Sequence, residues 1–266
     1  MQIKGKTVFL TGASSGVGRV CARLLAAEGA RLILTARSSD RLESVAREVQ
    51  PAKVIVLPAD LEDPSAISAL CEETSRRVST VDILINNAGV GLYAPSFEAP
   101  PELVRRMFAL NLLAPVELVR RLKPLIPRGG AIVNISSIAG KVPLPWLSLY
   151  SASKFALNAF SDALRMELGA SGIHVLSVCP GYVDTPFREN VLQGAIPDKV
   201  AGQRRFMITA EQCAQATLEG LRRRKRTVVT PRISWVLVAL ARLFPGFLYR
   251  RLAKMNPSVA SPGPQS

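Results

Sequence analysis

Near its beginning the chain reads T-V-F-L-T-G-A-S-S-G-V-G, from Thr7 to Gly18. The apolar run up to Leu10 predicts a buried strand, and a helix is predicted from Val17 to Glu28. Glycines between a strand and a helix let the backbone turn sharply and approach a pyrophosphate, which binds the exposed N–H groups of the helix N-terminus. The turn therefore indicates a nucleotide site, although a plain strand-to-helix connection would also explain its glycines. It is not a P-loop, because no Gly-Lys-Ser or Gly-Lys-Thr follows.

The same alternation of short apolar segments and longer helical patterns continues to about residue 230. Strands are predicted at Thr7–Leu10, Arg31–Thr35, Lys53–Leu57, Asp82–Asn86, Ala131–Ser136, His174–Cys179 and Thr227–Thr230. Helices are predicted at Val17–Glu28, Arg41–Val49, Pro64–Val78, Pro101–Leu122, Ser151–Ala170 and Ala210–Arg223, the last after a Thr209-x-x-Gln212 capping box. Such β-α-β units build a parallel sheet with helices on both faces. We therefore predict an α/β fold in a single domain, a doubly wound, Rossmann-like parallel sheet of about seven strands.

The chain divides into a body and a C-terminal extension. The body covers residues 1–230 and contains no linker, repeat or low-complexity segment. Residues 231–255 form an apolar and basic extension that is predicted to be helical. Residues 256–266 contain three prolines and small polar residues, so disorder is expected there.

The positive charge of the chain is concentrated near its end. With 34 Lys and Arg against 20 Asp and Glu, the 266 residues carry a net charge of +14. From Leu221 to Ser266 there are ten basic residues and no acidic one, which leaves +4 for the first 220 residues. A hydrophobic content of 48% excludes a disordered or fibrous chain.

The cysteines and the single histidine limit the possible chemistry. Cys21, Cys71, Cys179 and Cys213 lie far apart with no C-x-x-C pair, so neither a disulfide framework nor a zinc site is expected. A reducing compartment, the cytoplasm, is expected for the same reason. His174 lies in an apolar strand and is interpreted as structural, and one histidine is too few for most metal sites. We predict no metal site and no Ser-His-Asp catalysis.

No membrane span is expected from the sequence. The apolar run at the N-terminus is too short for a signal peptide. The longest apolar run near the other end, from Trp235 to Ala241, is closed by Arg242 and falls far below the ~20 residues needed to cross a bilayer.

A basic residue follows the second predicted strand, which ends in L-T-A-R-S-S with Arg37 after the small Ala36. A carboxylate at this position accepts from the 2′-hydroxyl of a ribose and selects NAD, whereas an arginine favours a 2′-phosphate. We therefore predict NADP(H) in preference to NAD(H). The alternative is that Arg37 is a solvated loop charge.

Polar residues follow further elements at the same edge of the sheet. Asn86-Asn87-Ala88-Gly89 ends the fourth strand, Ser136-Ser137 ends the fifth, and Tyr150 and Lys154 lie on the next helix. Open α/β sheets bind ligands at this edge, and residues i and i+4 share one helix face. A nearby ammonium and a positive nicotinamide favour the phenolate and bring a tyrosine pKa from ~10 toward the working range. Taken alone, Tyr150 would be interpreted as a packing aromatic.

Together these motifs resemble those of the short-chain dehydrogenase/reductase family. The set comprises T-G-x-x-x-G-x-G, N-N-A-G, a lone helical Asn111, S-S thirteen residues before Y-x-x-x-K, and P-G at Pro180-Gly181. The resemblance covers about residues 5 to 230, with the motifs in the family's order. It implies an oxidoreductase that moves hydride between a nicotinamide and a carbonyl or secondary alcohol.

The resemblance implies catalytic roles at four positions. Tyr150 would donate the proton to the carbonyl oxygen in reduction, and Ser137 would orient that oxygen. Lys154 would lower the pKa of the tyrosine and hold the ribose. Asn111 would hold a water that links Lys154 to solvent; without the resemblance it would be interpreted as an amide at a helix kink.

The resemblance also implies cofactor contacts. The pyrophosphate would lie on Gly12, Ser14, Ser15, Gly16, Val17 and Gly18, and the 2′-phosphate on Arg37. Asp60 and Leu61 would contact the adenine, Asn87, Ala88 and Gly89 the adenosine ribose, and Pro180, Gly181, Val183 and Thr185 the nicotinamide, with Tyr150 and Lys154 beside it. Some NADP-type members have a basic residue just before the second motif glycine, where this chain has Ser15, so the NADP prediction depends on Arg37 alone.

Two apolar segments suggest a hydrophobic substrate. Residues 185–208, which follow the P-G turn, form an apolar flap rich in glycine and proline. The extension is apolar between basic clusters, as expected of a helix pair in the headgroup region of an anionic membrane. Similar family members include membrane-associated reductases of steroids, retinoids and long-chain ketones. The alternatives for the extension are a helix that caps the sheet or a subunit interface; nucleic-acid binding is not expected, because no such motif is present.

Three functions and an oligomeric state follow as hypotheses. The first is reduction of a lipid, steroid, retinoid or long-chain carbonyl, and the alternative is a 3-oxoacyl-carrier-protein reductase whose acidic carrier would meet the basic patch. The third, a non-catalytic NADP-binding sensor or scaffold, has no need of the complete catalytic set. A homodimer or homotetramer is predicted through helices near 101–122 and 151–170, from the apolar surface of Phe155, Leu157, Phe160, Leu164 and Leu168.

Overall fold

The computed structural model describes residues 1–185, 187, 191–194 and 207–254. Most of the predicted flap, at 186, 188–190 and 195–206, lies outside the described residues. So do Met255, the last residue of the predicted helical extension, and residues 256–266, for which disorder is the expectation.

The sheet has seven parallel strands, which confirms the predicted fold class. They are β1 Thr7–Thr11, β2 Arg31–Thr35, β3 Val54–Val56, β4 Ile83–Asn86, β5 Ala131–Ile135, β6 His174–Pro180 and β9 Thr227–Thr230. Their order is β3-β2-β1-β4-β5-β6-β9, and the short strands β7 Val183–Asp184 and β8 Ile208–Thr209 pair separately. Because the strand order reverses between β1 and β4, a crevice opens there at the carboxyl ends of the strands.

Helices cover both faces of the sheet. Those of the described residues are α1 Gly16–Ala27, α2 Ser39–Glu48, α3 Pro64–Arg77, α4 Pro101–Phe108, α5 Ala114–Leu122, α6 Ser148–Glu167, α7 Ala210–Arg222, α8 Ser234–Leu243 and α9 Pro245–Ala253. The predicted capping box is present at the start of α7, where Thr209 and Gln212 bond reciprocally at 2.9 and 3.1 Å. Every residue of β1 and β5 is buried, as expected of strands covered on both sides.

One predicted helix is interrupted. A π-helical turn at Ala109–Leu113 separates α4 from α5, where the sequence pattern predicts continuous helix over Pro101–Leu122. The cause lies in the sequence: Pro115 has no N–H to bond to the carbonyl of Asn111, so the regular α-helical ladder cannot pass this point. The helix kink that an amide at Asn111 suggests is therefore present, as a π-helical turn.

Apolar clusters pack on the two faces of the sheet, one beneath α1, α2 and α7 and the other beneath α3, α5 and α6. A third, which we call the edge cluster, lies at the carboxyl edge and consists of Val90, Leu92, Met107, Ala139, Val142, Leu144, Trp146, Leu147, Tyr150, Val238, Ala241 and Leu248. In the part of the chain that the structure describes, every helix is too short or too polar to cross a membrane.

Candidate active site

A cleft of about 320 Å³ opens at the carboxyl ends of the strands, and the segments that follow β1 to β6 line it. Most of the predicted site residues meet there. They are Gly12, Ser14, Ser15, Gly16, Val17, Arg37, Asp60, Leu61, Asn87, Ala88, Gly89, Ser137, Tyr150, Lys154, Pro180, Gly181, Val183 and Thr185. Two predicted residues, Gly18 and Asn111, are not part of the lining.

The glycine turn depends on close backbone approach. Gly12 and Gly16 have φ angles of +63° and +52°, in the left-handed region that favours glycine. A Cβ on Gly18 would lie 2.1 Å from the carbonyl oxygen of Gly12, so Gly18 allows α1 to pack against the turn and has no contact with the cleft. The side chain of Ser15, the N-cap of α1, accepts no hydrogen bond from the first turn, which also contains no acidic residue. The positive end of α1 is thus available to an anion.

The segment after β4 is fastened to the glycine turn. Asn87 Nδ2 donates to the carbonyl oxygens of Thr11 at 2.9 Å and Gly12 at 3.2 Å. The backbone N–H groups of Asn87 and Ala88 both donate to Thr11 Oγ1 at 2.9 Å. These bonds join the ends of β1 and β4, the two strands at which the sheet order reverses, in the middle of the cleft.

Two arginines, one of them missed by the sequence analysis, lie where β2 ends. Arg37 and Arg41 both line the cleft, on either side of Ser38, whose Oγ accepts from the backbone N–H of Arg41 at 3.3 Å. Within the described residues neither arginine side chain forms an ion pair with a carboxylate. The pattern predicts a helix that begins only at Arg41, whereas α2 begins at Ser39 and turns Arg41 toward the cleft.

Ser137 and Tyr150 meet at the opposite end of the cleft. Tyr150, in the first turn of α6, is 8% exposed, and burial raises the pKa of its phenol to about 12. A side-chain hydrogen bond with Ser137 acts in the opposite direction and lowers that pKa. The hydroxyl of Ser137 is held in turn, because its Oγ accepts from the backbone N–H of Ala139 at 3.1 Å. At neutral pH the phenol of the cofactor-free protein is therefore protonated. The sequence predicts a pKa lowered toward neutral pH by Lys154 and a nicotinamide together, whereas burial raises it in the protein without a cofactor.

Lys154 lies one turn further along α6 and is 3% exposed. Its Nζ donates to the carbonyl oxygen of Ile135 at 3.1 Å and lies 5.8 Å from the centre of the Tyr150 ring. Burial lowers the pKa of this amine to about 8, so the group remains mostly protonated at neutral pH. The site thus contains a buried cation beside a buried phenol.

Asn111 lies outside the cleft lining and forms hydrogen bonds to two segments of the site. Its Oδ1 accepts from the backbone N–H of Val90 and its Nδ2 donates to the carbonyl oxygen of Val90, both at 2.9 Å. The same Nδ2 donates to Ser153 Oγ at 3.2 Å, and Ser153 Oγ donates to the carbonyl oxygen of Tyr150 at 2.8 Å. The side chain therefore ties the π-helical turn to the loop after β4 and to the start of α6. Its predicted role in holding a water stays a prediction.

Most residues of the cleft's apolar half were not predictable from a sequence motif. Besides Arg41, the lining residues that were not predicted are Ala36, Ser38, Ala59, Glu62, Tyr93, Leu110, Ile135, Ile138, Ala139, Leu144, Leu147 and Tyr182. Phe187 belongs to the predicted flap, and its ring centre lies 6.2 Å from that of Tyr150. Leu144 and Leu147 precede α6 and carried no recognisable motif.

The profile of the family described as short chain dehydrogenase matches residues 6–195 of this chain. The chain belongs to the short-chain dehydrogenase family. Both the seven-stranded sheet and the Ser-Tyr-Lys group in its cleft agree with this assignment. The protein is accordingly an oxidoreductase of that family.

Named relatives of this short-chain dehydrogenase come from animals and bacteria. Dehydrogenase/reductase SDR family member 7B of Bos taurus is 36% identical over 267 residues, which cover 94% of this chain and 81% of that protein. Ketoacyl reductase HetN of a Nostoc species is 35% identical over 253 residues, which cover 91% of this chain and 86% of that protein.

Solved structures of short-chain dehydrogenases have the same fold. One from Sphingobium yanoikuyae in complex with NADPH has a TM-score of 0.76 at 29% identity, covering 98% of this chain and 100% of that one. Another from Burkholderia phymatum in complex with NAD has a TM-score of 0.83 at 24% identity, covering 93% and 96%. At that lower identity the likeness concerns the fold.

The cysteines and the histidine lie outside the cleft of this short-chain dehydrogenase. Its cysteines are unpaired and buried, and burial raises the pKa of each thiol. His174 starts β6 and is half-buried, and burial, followed by the charge of Arg224, lowers its pKa. Among the described residues no cluster of three or more histidine, cysteine or acidic side chains is suited to a metal ion.

We predict that the burial of Lys154 makes the stability of the cofactor-free protein depend on pH. The pKa of Lys154 is about 8 in the folded protein and ~10.4 in an unfolded chain, so between these values the unfolded chain binds more protons and stability rises with pH. The variant Lys154→Met lacks this contribution. Between about pH 7.5 and about pH 10 its free energy of unfolding should therefore rise about 2 kcal/mol less than that of the wild type.

Urea denaturation at the two pH values measures this difference. Lys123→Met is the matched control, because it makes the same substitution at an exposed position. An identical pH dependence in the wild type and in Lys154→Met would contradict the prediction.

Proposed function

We propose that this short-chain dehydrogenase transfers hydride between NADP(H) and the carbonyl or secondary-alcohol carbon of a hydrophobic substrate. One observation carries the proposal: Ser137, Tyr150 and Lys154 line a single cleft whose other end is the glycine turn. A dinucleotide in that cleft would extend from the positive end of α1 to the phenol of Tyr150.

The residues of the cleft fit a dinucleotide. The open N-terminus of α1 would bind the pyrophosphate, since its first-turn N–H groups have no side-chain acceptor at the cap. Asp60 and Leu61, which line the cleft, would hold the adenine, and Pro180 and Thr185, which also line it, would enclose the nicotinamide. A bound nicotinamide supplies the hydride-transfer chemistry. The protein binds and orients both reactants and controls a proton.

Arg37 and Arg41 support NADP(H) in preference to NAD(H). Both line the cleft at the end of β2 and have no carboxylate partner among the described residues, so their charge is available to a 2′-phosphate. The NADP prediction from the sequence depends on Arg37 alone, and the position of Arg41 adds a second cation. Solved structures of the same fold include complexes with NADPH and with NAD, so the preference proposed for this chain depends on these two arginines.

Tyr150 would be the acid in carbonyl reduction. Because its pKa of about 12 keeps the phenol protonated at neutral pH, it can donate a proton to the carbonyl oxygen of the substrate. Ser137 shares a hydrogen bond with that hydroxyl and would orient the same oxygen. The ammonium of Lys154, 5.8 Å from the centre of the ring, would favour the phenolate that remains after the transfer. In its free form the site is therefore prepared for reduction.

The apolar half of the cleft supports a hydrophobic substrate. Leu144, Leu147 and Phe187 line it beside Tyr150, and all four side chains belong to or pack on the edge cluster. Burial of apolar substrate area against them would contribute ~25 cal/mol per Å². Such an apolar wall would bind a steroid, a retinoid or a long-chain ketone.

A 3-oxoacyl-carrier-protein reductase is the second candidate. A relative of similar length, 35% identical, carries the name ketoacyl reductase, and a long acyl chain would also suit the apolar wall. A non-catalytic NADP-binding sensor or scaffold is disfavoured, since Ser137, Tyr150 and Lys154 all line the cleft. A panel of carbonyl substrates, free and carrier-bound, separates the three.

The oligomeric state is proposed to be a homodimer or a homotetramer. The apolar surface expected at Leu157, Leu164 and Leu168 is absent, because all three are buried within one subunit. Phe160 is partly buried against the cluster beneath α3, α5 and α6. Phe155 remains 40% exposed on α6, and Leu113 is 59% exposed on the π-helical turn. We also propose a cytoplasmic location, with peripheral attachment to the membrane in which the substrate is dissolved.

We predict that Tyr150→Phe abolishes reduction while leaving cofactor binding intact. Loss of the phenolic proton should lower kcat by a factor of ~10²–10⁴, because an acid at the reacting oxygen contributes that much. NADPH oxidation with a panel of steroid, retinoid and long-chain ketones measures activity, and fluorescence titration measures NADPH affinity. Tyr249→Phe, on the exposed face of α9, is the control. A Tyr150→Phe enzyme that keeps a tenth of the wild-type kcat would overturn the assignment.

A second prediction concerns the 2′-phosphate. Neutralising either cation, in Arg37→Gln or Arg41→Gln, should raise KM for NADPH about tenfold, since a charge-assisted hydrogen bond contributes ~1.5–3 kcal/mol. KM for NADH should change less than twofold. Arg47→Gln is the control, because Arg47 lies on α2 like Arg41 but is not part of the cleft lining. Equal effects on both cofactors would show that these arginines do not discriminate between them.

A third prediction concerns subunit association. Light scattering at micromolar concentration should give at least twice the monomer mass of 28.7 kDa. Phe155→Glu should reduce it toward the monomer value, because a buried charge at an interface is costly. A monomeric wild type would refute the proposed dimer.

A further inference from the structure

The C-terminal extension has an inner face that packs on the body. In the hairpin formed by α8 and α9, which we call the C-terminal hairpin, Val238, Ala241 and Leu248 are buried in the edge cluster. The sequence left open whether this extension covers the body or faces a membrane. The structure shows that one side covers the body, and it leaves the other side unpaired.

The outer face of the hairpin is apolar. Trp235, Val236, Ala239 and Leu243 are exposed and recur at the spacing of one side of α8. The stripe continues into the turn toward α9 with further exposed aromatic residues. Of the eleven large hydrophobic side chains exposed among the described residues, seven lie between 233 and 249: Ile233, Trp235, Val236, Leu243, Phe244, Phe247 and Tyr249. An exposed apolar concentration of this kind marks an interaction surface.

Basic side chains accompany the stripe. Residues 231–254 contain five basic residues and no acidic one, at Arg232, Arg242, Arg250, Arg251 and Lys254. The guanidinium of Arg251 lies 5.4 Å from the centre of the Phe247 ring, so charge and aromatic surface lie side by side. Glu219, at 3.9 Å from Arg232, is also within 4 Å of Arg223 and Lys225. One carboxylate shared by three cations leaves this surface strongly positive.

We propose that the C-terminal hairpin docks on an anionic lipid bilayer. Exposed aliphatic and aromatic side chains enter the headgroup region of a bilayer, and neighbouring Arg and Lys side chains pair with lipid phosphates. A second copy of the chain is a poorer occupant, because it would bring two segments of charge +5 together.

The hairpin packs against the apolar half of the cleft, because its residue Val238 and the wall residue Leu144 belong to the same edge cluster. It follows β9 at the carboxyl edge of the sheet, and Gly181, which lines the cleft, approaches its first residues. A Cβ on Gly181 would lie 3.5 Å from Pro231 Cδ and 3.9 Å from Ser234 Oγ. A docked hairpin therefore places the lipid surface next to the wall formed by Leu144 and Phe187. This part of the inference rests on the proposed function: an apolar carbonyl substrate would enter from the bilayer.

Vesicle flotation tests the docking without any activity measurement. The full-length protein is mixed with vesicles of phosphatidylcholine alone or with about one third phosphatidylglycerol. The wild type should float with the anionic vesicles and stay in solution with phosphatidylcholine alone. Leu243→Glu should lower the bound fraction at least tenfold. Met166→Glu is the matched control, since Met166 is 74% exposed against 70% for Leu243 but lies near the end of α6, at the opposite edge of the sheet.

The charge contribution is tested separately. The double variant Arg250→Gln/Arg251→Gln should weaken binding to anionic vesicles about thirty-fold, which corresponds to ~1 kcal/mol for each basic residue near the surface. Arg76→Gln/Arg77→Gln removes the same charge from the exposed surface of α3 and should leave binding unchanged. An equal loss in both pairs would mean that net charge alone drives binding, and it would overturn the hairpin as the docking site.

Activity measurements separate this inference from the proposed function. Leu243→Glu should reduce kcat/KM at least tenfold for a long-chain ketone embedded in anionic vesicles, and it should leave that for a short water-soluble ketone unchanged. A wild type that reduces both ketones but never floats overturns the docking and leaves the reductase intact. A wild type that floats but reduces no carbonyl supports the docking and overturns the proposed function. A Leu243→Glu protein whose mass by light scattering falls from dimer to monomer shows instead that the hairpin joins two copies.

Discussion

The close approach of α6 to the loop after β5 is the contact on which the site depends. A Cβ on Gly140 would lie 2.5 Å from Asn158 Nδ2 and 2.6 Å from the carbonyl oxygen of Lys154, so any larger residue would push the helix away. Asn158 Nδ2 also donates to the carbonyl oxygen of Gly140 at 2.8 Å. Because Tyr150 and Lys154 lie on this helix and Ser137 on the loop, one packing contact sets the geometry of all three.

A buried chain of polar groups extends this constraint across the sheet. Asn86 Nδ2 donates to Asn134 Oδ1, and Asn134 Nδ2 donates to Ser161 Oγ, both at 2.8 Å. The chain joins β4, β5 and α6, all inside the protein. A buried polar group that loses its hydrogen-bond partner destabilises the fold. These hydrogen bonds therefore hold β4, β5 and α6 in one arrangement. The cofactor half of the cleft, which begins after Asn86, thereby keeps a fixed position relative to the reacting half.

Local patterns in the sequence predicted the fold and the polar part of the cleft, because each strand, helix and turn carries its own periodicity and motif. Contacts between distant elements were not predictable in this way. Arg41 was missed because its position depends on where α2 begins, which the pattern placed two residues late. The π-helical turn had a signal in Pro115 that the apolar periodicity concealed. The first helix of the C-terminal hairpin is nearly all apolar, so its sequence does not show which side is buried. That side is determined by packing against the edge cluster.

The buried cysteines give this fold an internal reporter. Thiolate is the reactive form of cysteine, and burial raises the pKa of all four thiols, so a reagent in solution meets almost no thiolate while the fold is closed. Cys21 and Cys71 belong to the clusters on opposite faces of the sheet. The rates at which they are alkylated therefore measure how often each helical layer separates from the strands, one face independently of the other.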